Sequence, residues 1–219
     1  FCGLNNYITF FKDKSLNSSI PHTLIYAFLT SGLKVVIAFF IAVFLCGKVR
    51  AKGFIRSAVF FPNLVSAMAF SYLMHPTKGL FNHLITSLGL PAINFLGDEK
   101  LALFSIIAVD VWKGLSISLV IYIAGIQSIN SNYYEAAQID GANFWQKIRY
   151  ITLPLVAPAQ NSIIILSLIS GLRSFDLIWA MTGGGPGFST DVMASVIYKQ
   201  YAFGFYGLST AGNVIMLIL

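Results

Sequence analysis

Apolar residues do not alternate with polar ones along this chain; they run in long blocks separated by short polar joints. The blocks cover residues 24–46, 57–75, 101–127 and 156–181, and another begins near Phe205. The first is interrupted only by Lys34. The second carries Pro62 and Asn63, the third Asp110 and Lys113, and the fourth Arg173 and Asp176. About 20 apolar residues in helical form cross a hydrocarbon layer roughly 30 Å thick, and a helix satisfies its own backbone polar groups there. The pattern therefore predicts an all-α protein, a polytopic bundle of membrane-crossing helices. Two joints also show helical periodicity, at Tyr7, Phe10 and Phe11 and at Leu80, Leu84, Ile85 and Leu88. Both are expected to form short helices lying in the membrane interface.

Composition agrees: 57% of the 219 residues are hydrophobic, only 10% are charged, and the mean hydropathy is +0.76. A net charge of +6 raises the question of nucleic acid, but no basic stripe interleaved with aromatics is present. The cations sit in the joints instead, and short loops rich in Lys and Arg stay on the cytoplasmic side. Lys48, Arg50, Lys52 and Arg56 crowd the first joint, and Lys147 and Arg149 accompany Glu135 and Asp140 in the third. The joint at 76–100 sets Lys78 and Lys100 against Asp98 and Glu99. The first and third joints are thus expected in the cytoplasm, with residues 1–23, 76–100 and 182–202 outside. By the same alternation the chain reads as a fragment, with one spanning helix expected before Phe1 and the last one cut, about six in all.

Candidate chemistry changes this picture little. Cys2 and Cys46 fit no zinc or redox spacing, and His75 and His83 have no neighbouring ligand, so no metal site is expected. The glycine-rich run at residues 182–187 lacks the Lys-Ser or Lys-Thr pair of a phosphate cradle. No catalytic residue is expected in this chain.

The most informative joint is residues 131–155. Asn132 can cap a helix with Glu135 reaching back to it, and Asn143 with Gln146 repeats the arrangement. Gly141, free to adopt positive φ, can turn the second helix away from the first. Ala136, Ala137 and Ala142 keep the elbow thin, while Phe144, Ile148 and Ile151 form an apolar stripe. A projection of this kind suits docking.

In order, Glu135-Ala136-Ala137, Asp140-Gly141-Ala142, Ile151 and Leu153-Pro154-Leu155 resemble the EAA loop of ABC importer permeases. Leu96-Gly97-Asp98, the segment from Val109 to Gly114, Phe175-Asp176-Leu177-Ile178 and the glycine run resemble the sugar-importer branch, specifically maltose-type membrane subunits. Nearly the whole chain fits, as a single transmembrane permease domain over 1–219. The resemblance implies a second, related permease chain, two ATP-binding subunits and an extracytoplasmic solute-binding protein, in a bacterial or archaeal cell membrane. It implies that Glu135, Ala136, Ala137, Asp140, Gly141, Ala142, Phe144, Leu153 and Pro154 dock in a cleft of the ATPase. ATP and Mg would be held by that partner, with no cofactor in this chain. The cargo implied is a sugar or oligosaccharide, with glycerol phosphate or another sugar derivative as the alternative. An ion-driven secondary transporter also needs broken helices and buried charges, but the EAA-like loop argues against it.

A sugar path needs hydrogen-bonding groups beside aromatic faces. The candidates are Asn63, Tyr72, Trp112, Tyr122, Phe175 and Trp179, with the amides of Gln160 and Asn161 near the inner end of the fourth block. Asp110 with Lys113, and Arg173 with Asp176, stand three residues apart and are expected to pair on one helix face. Lys34 has no local partner and is expected to reach another helix or to snorkel.

Overall fold

The computed structural model describes residues 3–47 and 52–219, and is all-α: no strand occurs among them. Lys48 and Arg50, two of the orienting cations, lie outside the described residues, as does Cys2. In chain order the helices are α1 (Asn5–Lys12), α2 (Lys14–Cys46), α3 (Lys52–Leu64), α4 (Ala67–Leu73), α5 (Leu80–Ser87), α6 (Ala102–Gln127) and α7 (Ser131–Ile139). They continue with α8 (Phe144–Lys147), a π-helical turn (Ile148–Thr152), α9 (Leu153–Leu155), α10 (Ala157–Leu172), α11 (Asp176–Thr182), α12 (Met193–Ala202) and α13 (Tyr206–Ile218). Among the described residues, α2 and α6 are each long and apolar enough to cross a membrane, and up to four spans result if two bent helix pairs count as one span each.

Three blocks depart from the expected boundaries, each for a local reason. Helix α2 starts ten residues early because Asp13 caps it, its carboxylate accepting from the Ser15 amide at 2.8 Å and from the Leu16 amide at 3.3 Å. The polar residues that hid this extension bond back to their own helix: Ser19 donates to the Leu16 carbonyl and Thr23 to the Ser19 carbonyl, both at 2.6 Å. The second block breaks at Val65 and Ser66, three residues beyond Pro62, where Ser66 takes an extended conformation and caps α4. The fourth breaks between Leu172 and Asp176. That break ends the continuous helix on which Arg173 and Asp176 were expected to pair; both side chains are exposed.

The chain forms two compact units. One comprises Phe1–Leu29, Val65–Asp110 and Ile169–Leu219. Its core gathers Phe10, Leu16, Met193, Val196 and Ile197. Phe10 is fully buried against α12 and α13, while Ile8 and Phe11 of the same helix stay exposed. A side chain at Gly212 of α13 would strike Ile197 and Phe10, which explains a glycine within that helix. The 75–93 joint is closed by buried Asn82, whose amide donates to the carbonyls of His75 (3.2 Å) and Ile93 (2.8 Å) and accepts from the Ile93 amide (2.8 Å).

The other unit comprises Thr30–Leu64 and Val111–Leu168. Here Ser31 and Ser167 share a buried hydrogen bond of 2.7 Å between α2 and α10. Gly125 lets α6 and α10 approach closely, since a Cβ there would lie 2.8 Å from Ala159 and 2.9 Å from Val156. Lys34 does reach another helix: it is buried, and its side chain lies against Gly114 of α6.

Candidate functional site

The segment expected to dock is built almost wholly from local signals. Its first helix, α7, is capped by Asn130, whose side chain accepts from the Asn132 amide at 3.0 Å. The cap is therefore two residues earlier than expected, and Asn132 lies inside the first turn. Glu135, now in the second turn, is exposed. The helix ends at Gly141, with φ +76°. Its amide donates to the Gln138 carbonyl at 3.2 Å and the Ala142 amide to the Ala137 carbonyl at 2.8 Å, the pair of bonds that defines a Schellman end. Asn143 then starts α8 with the expected reciprocal box: its side chain accepts from the Gln146 amide at 2.9 Å, and the Gln146 side chain accepts from the Asn143 amide at 2.7 Å.

Beyond α8 the helix widens. The Leu153 amide bonds the Ile148 carbonyl, five residues back, and next comes Pro154, which has no amide to give. The chain then bends by 68° between residues 144–155 and α10. Ile148 and Thr152 are buried, whereas Phe144, Trp145 and Tyr150 are 59%, 65% and 70% exposed. Tyr133 and Ile139 on α7 are also exposed, and so are Leu153 and Pro154. A hollow of about 330 Å³ between the two arms is lined by Ala137, Asp140, Gly141, Ala142, Gln146 and Tyr150, among others. Four of the nine residues marked by the EAA resemblance thus face one concavity, while Ala136 and Glu135 stand exposed beside it. Large exposed apolar groups, Phe144, Trp145 and Tyr150 among them, thus stand on and around this hollow.

The candidates for a sugar path fall into separate groups. Asn63 donates to the hydroxyl of Ser116, and the Trp112 indole donates to the Ala58 carbonyl at 3.2 Å, so both tie α3 to α6. Tyr122 is fully buried, with its ring edge-on to Phe39 at 5.5 Å. These three belong to the second unit. In the first unit, Phe175 and Trp179 stack at 5.6 Å, and Tyr198 of α12 closes on them at 5.2 and 4.9 Å. Trp179 and Tyr198 remain 38% and 44% exposed, leaving an open aromatic face. Tyr72, 75% exposed, lies on α4, which packs against α11. Tyr198 carried no signal in the sequence, being one of many aromatics in a helix of mixed character. Gln160 is half-buried and Asn161 exposed at the start of α10.

A second feature escaped the sequence reading. Asp191, 1% exposed, takes Lys199 on both carboxylate oxygens at 2.9 and 2.8 Å and the Ser195 hydroxyl at 2.8 Å. The His22 ring approaches the Asp191 carbonyl at 3.1 Å, and the Met193 amide donates to Thr23 at 2.9 Å. A Cβ on Gly184 would collide with Asp191 and Lys199. The residues that follow the glycine-rich loop are therefore held to α12 by the Asp191–Lys199 ion pair and to α2 by the His22 ring. Its signal was a lone Asp and a Lys eight residues apart, a spacing that matches no helix-face rule.

Asp13, at the start of α2, is held as a carboxylate by its own helix end. The Ser15 hydroxyl holds its carboxyl below the usual carboxylate range, helped by two backbone amides against partial desolvation.

Comparison with known proteins places these features. The profile of the family described as binding-protein-dependent transport system inner membrane component matches residues 16–219. The trehalose/maltose transport system permease protein of Thermococcus litoralis is 32% identical over 223 residues, covering 100% of this chain and 76% of that protein. The sn-glycerol-3-phosphate transport system permease protein of Yersinia enterocolitica is 32% identical over 228 residues, again covering 100% of this chain and 76% of the relative. Among solved structures, a chain of a bacterial alginate ABC transporter, in complex with an alginate pentasaccharide-bound periplasmic protein, superposes with a TM-score of 0.83. It is 26% identical and covers 99% of this chain and 79% of that one.

Proposed function

Because the chain belongs to the family of binding-protein-dependent transport system inner membrane components, we propose that it is the permease subunit through which an ATP-driven importer passes a sugar or oligosaccharide. The observation that carries this reading is the capped and elbowed helix pair at 131–155, whose rim of exposed aromatic side chains suits packing against another protein. The partner it fits is a cytoplasmic ATP-binding subunit, which would hold the nucleotide and its Mg. Two such subunits, a second permease chain and an extracytoplasmic solute-binding protein complete the assembly, in the cell membrane of a bacterium or archaeon.

Sugar is favoured by the relative named for trehalose and maltose, and by the half-exposed ring cluster of Phe175, Trp179 and Tyr198, which suits the weakly apolar face of a pyranose. A second reading, glycerol phosphate, is supported by the relative named for that substrate. Uptake by proteoliposomes containing the full-length chain and its partners, assayed with maltose, trehalose, an alginate oligosaccharide and sn-glycerol 3-phosphate, decides between them. ATP-dependent accumulation of a sugar is expected. Trp179→Ala and Tyr198→Ala are expected to raise the uptake KM about two- to tenfold, from a stacking contribution of ~0.5–1.5 kcal/mol, without loss of assembly. Accumulation of the phosphate alone selects the second reading, and no ATP-dependent uptake of any of the four refutes both.

A further inference from the structure

The two arms of the 131–155 segment are joined twice. One junction is the Gly141 elbow. The other lies at the opposite end, where the Tyr134 hydroxyl meets the Thr152 hydroxyl at 3.0 Å. Thr152 is 4% exposed and closes the π-helical turn; its own hydroxyl donates to the Lys147 carbonyl at 3.3 Å. A hydroxyl has one proton. With that proton on Lys147, Tyr134 is the donor to Thr152, and a short relay runs from α7 through the π-helical turn to the end of α8.

One side of this relay borders open space. A cavity of about 390 Å³ lies beside it, with Tyr134 and Thr152 in its wall together with Cys46, Ile126, Ile129 and Phe144. Close packing normally fixes the angle between two helices; here a void adjoins the junction, and a directed hydrogen bond takes over part of that task. An elbow at one end alone leaves an angle free, because glycine resists rotation weakly. An elbow and a bridge at opposite ends close the figure and make the hairpin one body.

We propose that the Tyr134–Thr152 bridge is a strut that keeps this hairpin rigid, and that both residues are positioning residues for transmission. They touch neither nucleotide nor cargo. They act by making a displacement of the exposed rim travel, through the π-helical turn and the 68° bend, into α10 instead of being absorbed by a change of angle between the arms. The proposal rests on the transport reading above and names a part of its coupling machinery.

The test is the number of sugar molecules accumulated per ATP hydrolysed, measured in proteoliposomes on complexes purified as intact assemblies. Tyr134→Phe keeps the ring and removes the donor. Thr152→Val keeps the shape and removes the acceptor, and Thr152→Ser keeps the hydroxyl. Tyr134→Phe and Thr152→Val are each expected to lower the ratio about two- to tenfold, the range set by one net hydrogen bond, while ATP hydrolysis continues. The double variant should be no worse than either single one, since both remove the same bond, and Thr152→Ser should restore the wild-type ratio. Wild-type ratios in Tyr134→Phe and Thr152→Val overturn the strut, as does a double variant whose losses multiply. A merely structural role would reduce the yield of complex and leave the ratio of the assembled fraction unchanged, which also overturns it. Wild-type complex that moves neither sugar nor sn-glycerol 3-phosphate on ATP overturns the transport reading itself, so the two failures are told apart by the wild-type control.

Discussion

Gly141 offers a test of the elbow in which conformation can be separated from bulk. Its φ is +76°, and nothing lies within 4 Å of the position a Cβ would take. Substitution there meets no neighbour, so any cost comes from the backbone alone. Holding an ordinary L-residue in the left-handed region costs about 1–2 kcal/mol, and β-branched residues sit at or above the top of that range. Asn tolerates the region far better. If the arm angle set by this elbow is needed to dock, the fraction of permease competent to bind falls by the same free energy, and the apparent Kd rises by the inverse of that fraction. Alanine is then expected to weaken binding of the ATP-binding subunit by up to about fivefold and valine by up to about 30-fold, on the scale of 1.4 kcal/mol per tenfold. Asparagine should stay within about twofold. Titrating the ATP-binding subunit onto nanodisc-embedded permease gives the Kd values, and initial uptake rates should follow the same order. Valine binding as tightly as glycine would show that the left-handed elbow is not required. Asparagine as weak as valine would show that side-chain bulk against the partner surface outweighs the backbone preference.

Three further outcomes follow from the packing. Lys199→Met should destabilise the unit that contains it by about 3 kcal/mol, because it strands a buried Asp191 carboxylate, whereas replacing both residues by apolar ones should cost less; thermal unfolding in detergent ranks the two. Gly125→Val should cost about 1–3 kcal/mol by wedging α6 from α10, read in the same assay, with Gly125→Ala intermediate. Asp13→Ala should cost about 1 kcal/mol at neutral pH as a lost cap. Its folded pKa lies below the unfolded one, so the carboxylate's contribution is full above about pH 4 and fades as pH falls through the folded value. The gap between variant and wild type should therefore narrow in acid, and a gap that widens there contradicts the cap.

What was legible in the sequence divides along the range of the forces involved. Helix α6 and the inner part of α2 are announced by uninterrupted apolar runs, and the Asn143 box and the positive φ at Gly141 by residue types with few alternative uses. Where two residues could serve one local role, the reading slipped by two residues: Asn130 and Asn132 are equally good caps by type, and only the start of the helix chooses between them. The early start of α2 was hidden because Ser19 and Thr23 look like loop residues until their hydroxyls are seen to bond back within the helix. The Asp191–Lys199 pair, the Tyr198 closure of the ring cluster and the Tyr134–Thr152 bridge depend on where separate segments meet, and no spacing along the chain encodes them.

That division bears on the proposal that the 131–155 segment is a moving part. Its first cap, its Schellman end, its capping box and its bridge are all made between residues of 130–152. Its internal geometry is accordingly not borrowed from the helices on either side. A part that depends on its surroundings for its shape deforms when those surroundings shift, whereas one that holds itself together can change its position and keep its form. The glycine-rich loop at 182–187 is the opposite case: the residues that follow it are held by the Asp191–Lys199 ion pair to α12 and by the His22 contact to α2. Disturbing α12 should therefore displace the loop, while a shift of α10 should carry the hairpin along intact. Spin labels on Tyr133 and Trp145, exposed residues on the two arms, should accordingly keep one separation with and without nucleotide in the assembled transporter. A change in that separation on ATP binding would mean that the hairpin bends as it works, and that rigidity is not the property the sequence was built to provide.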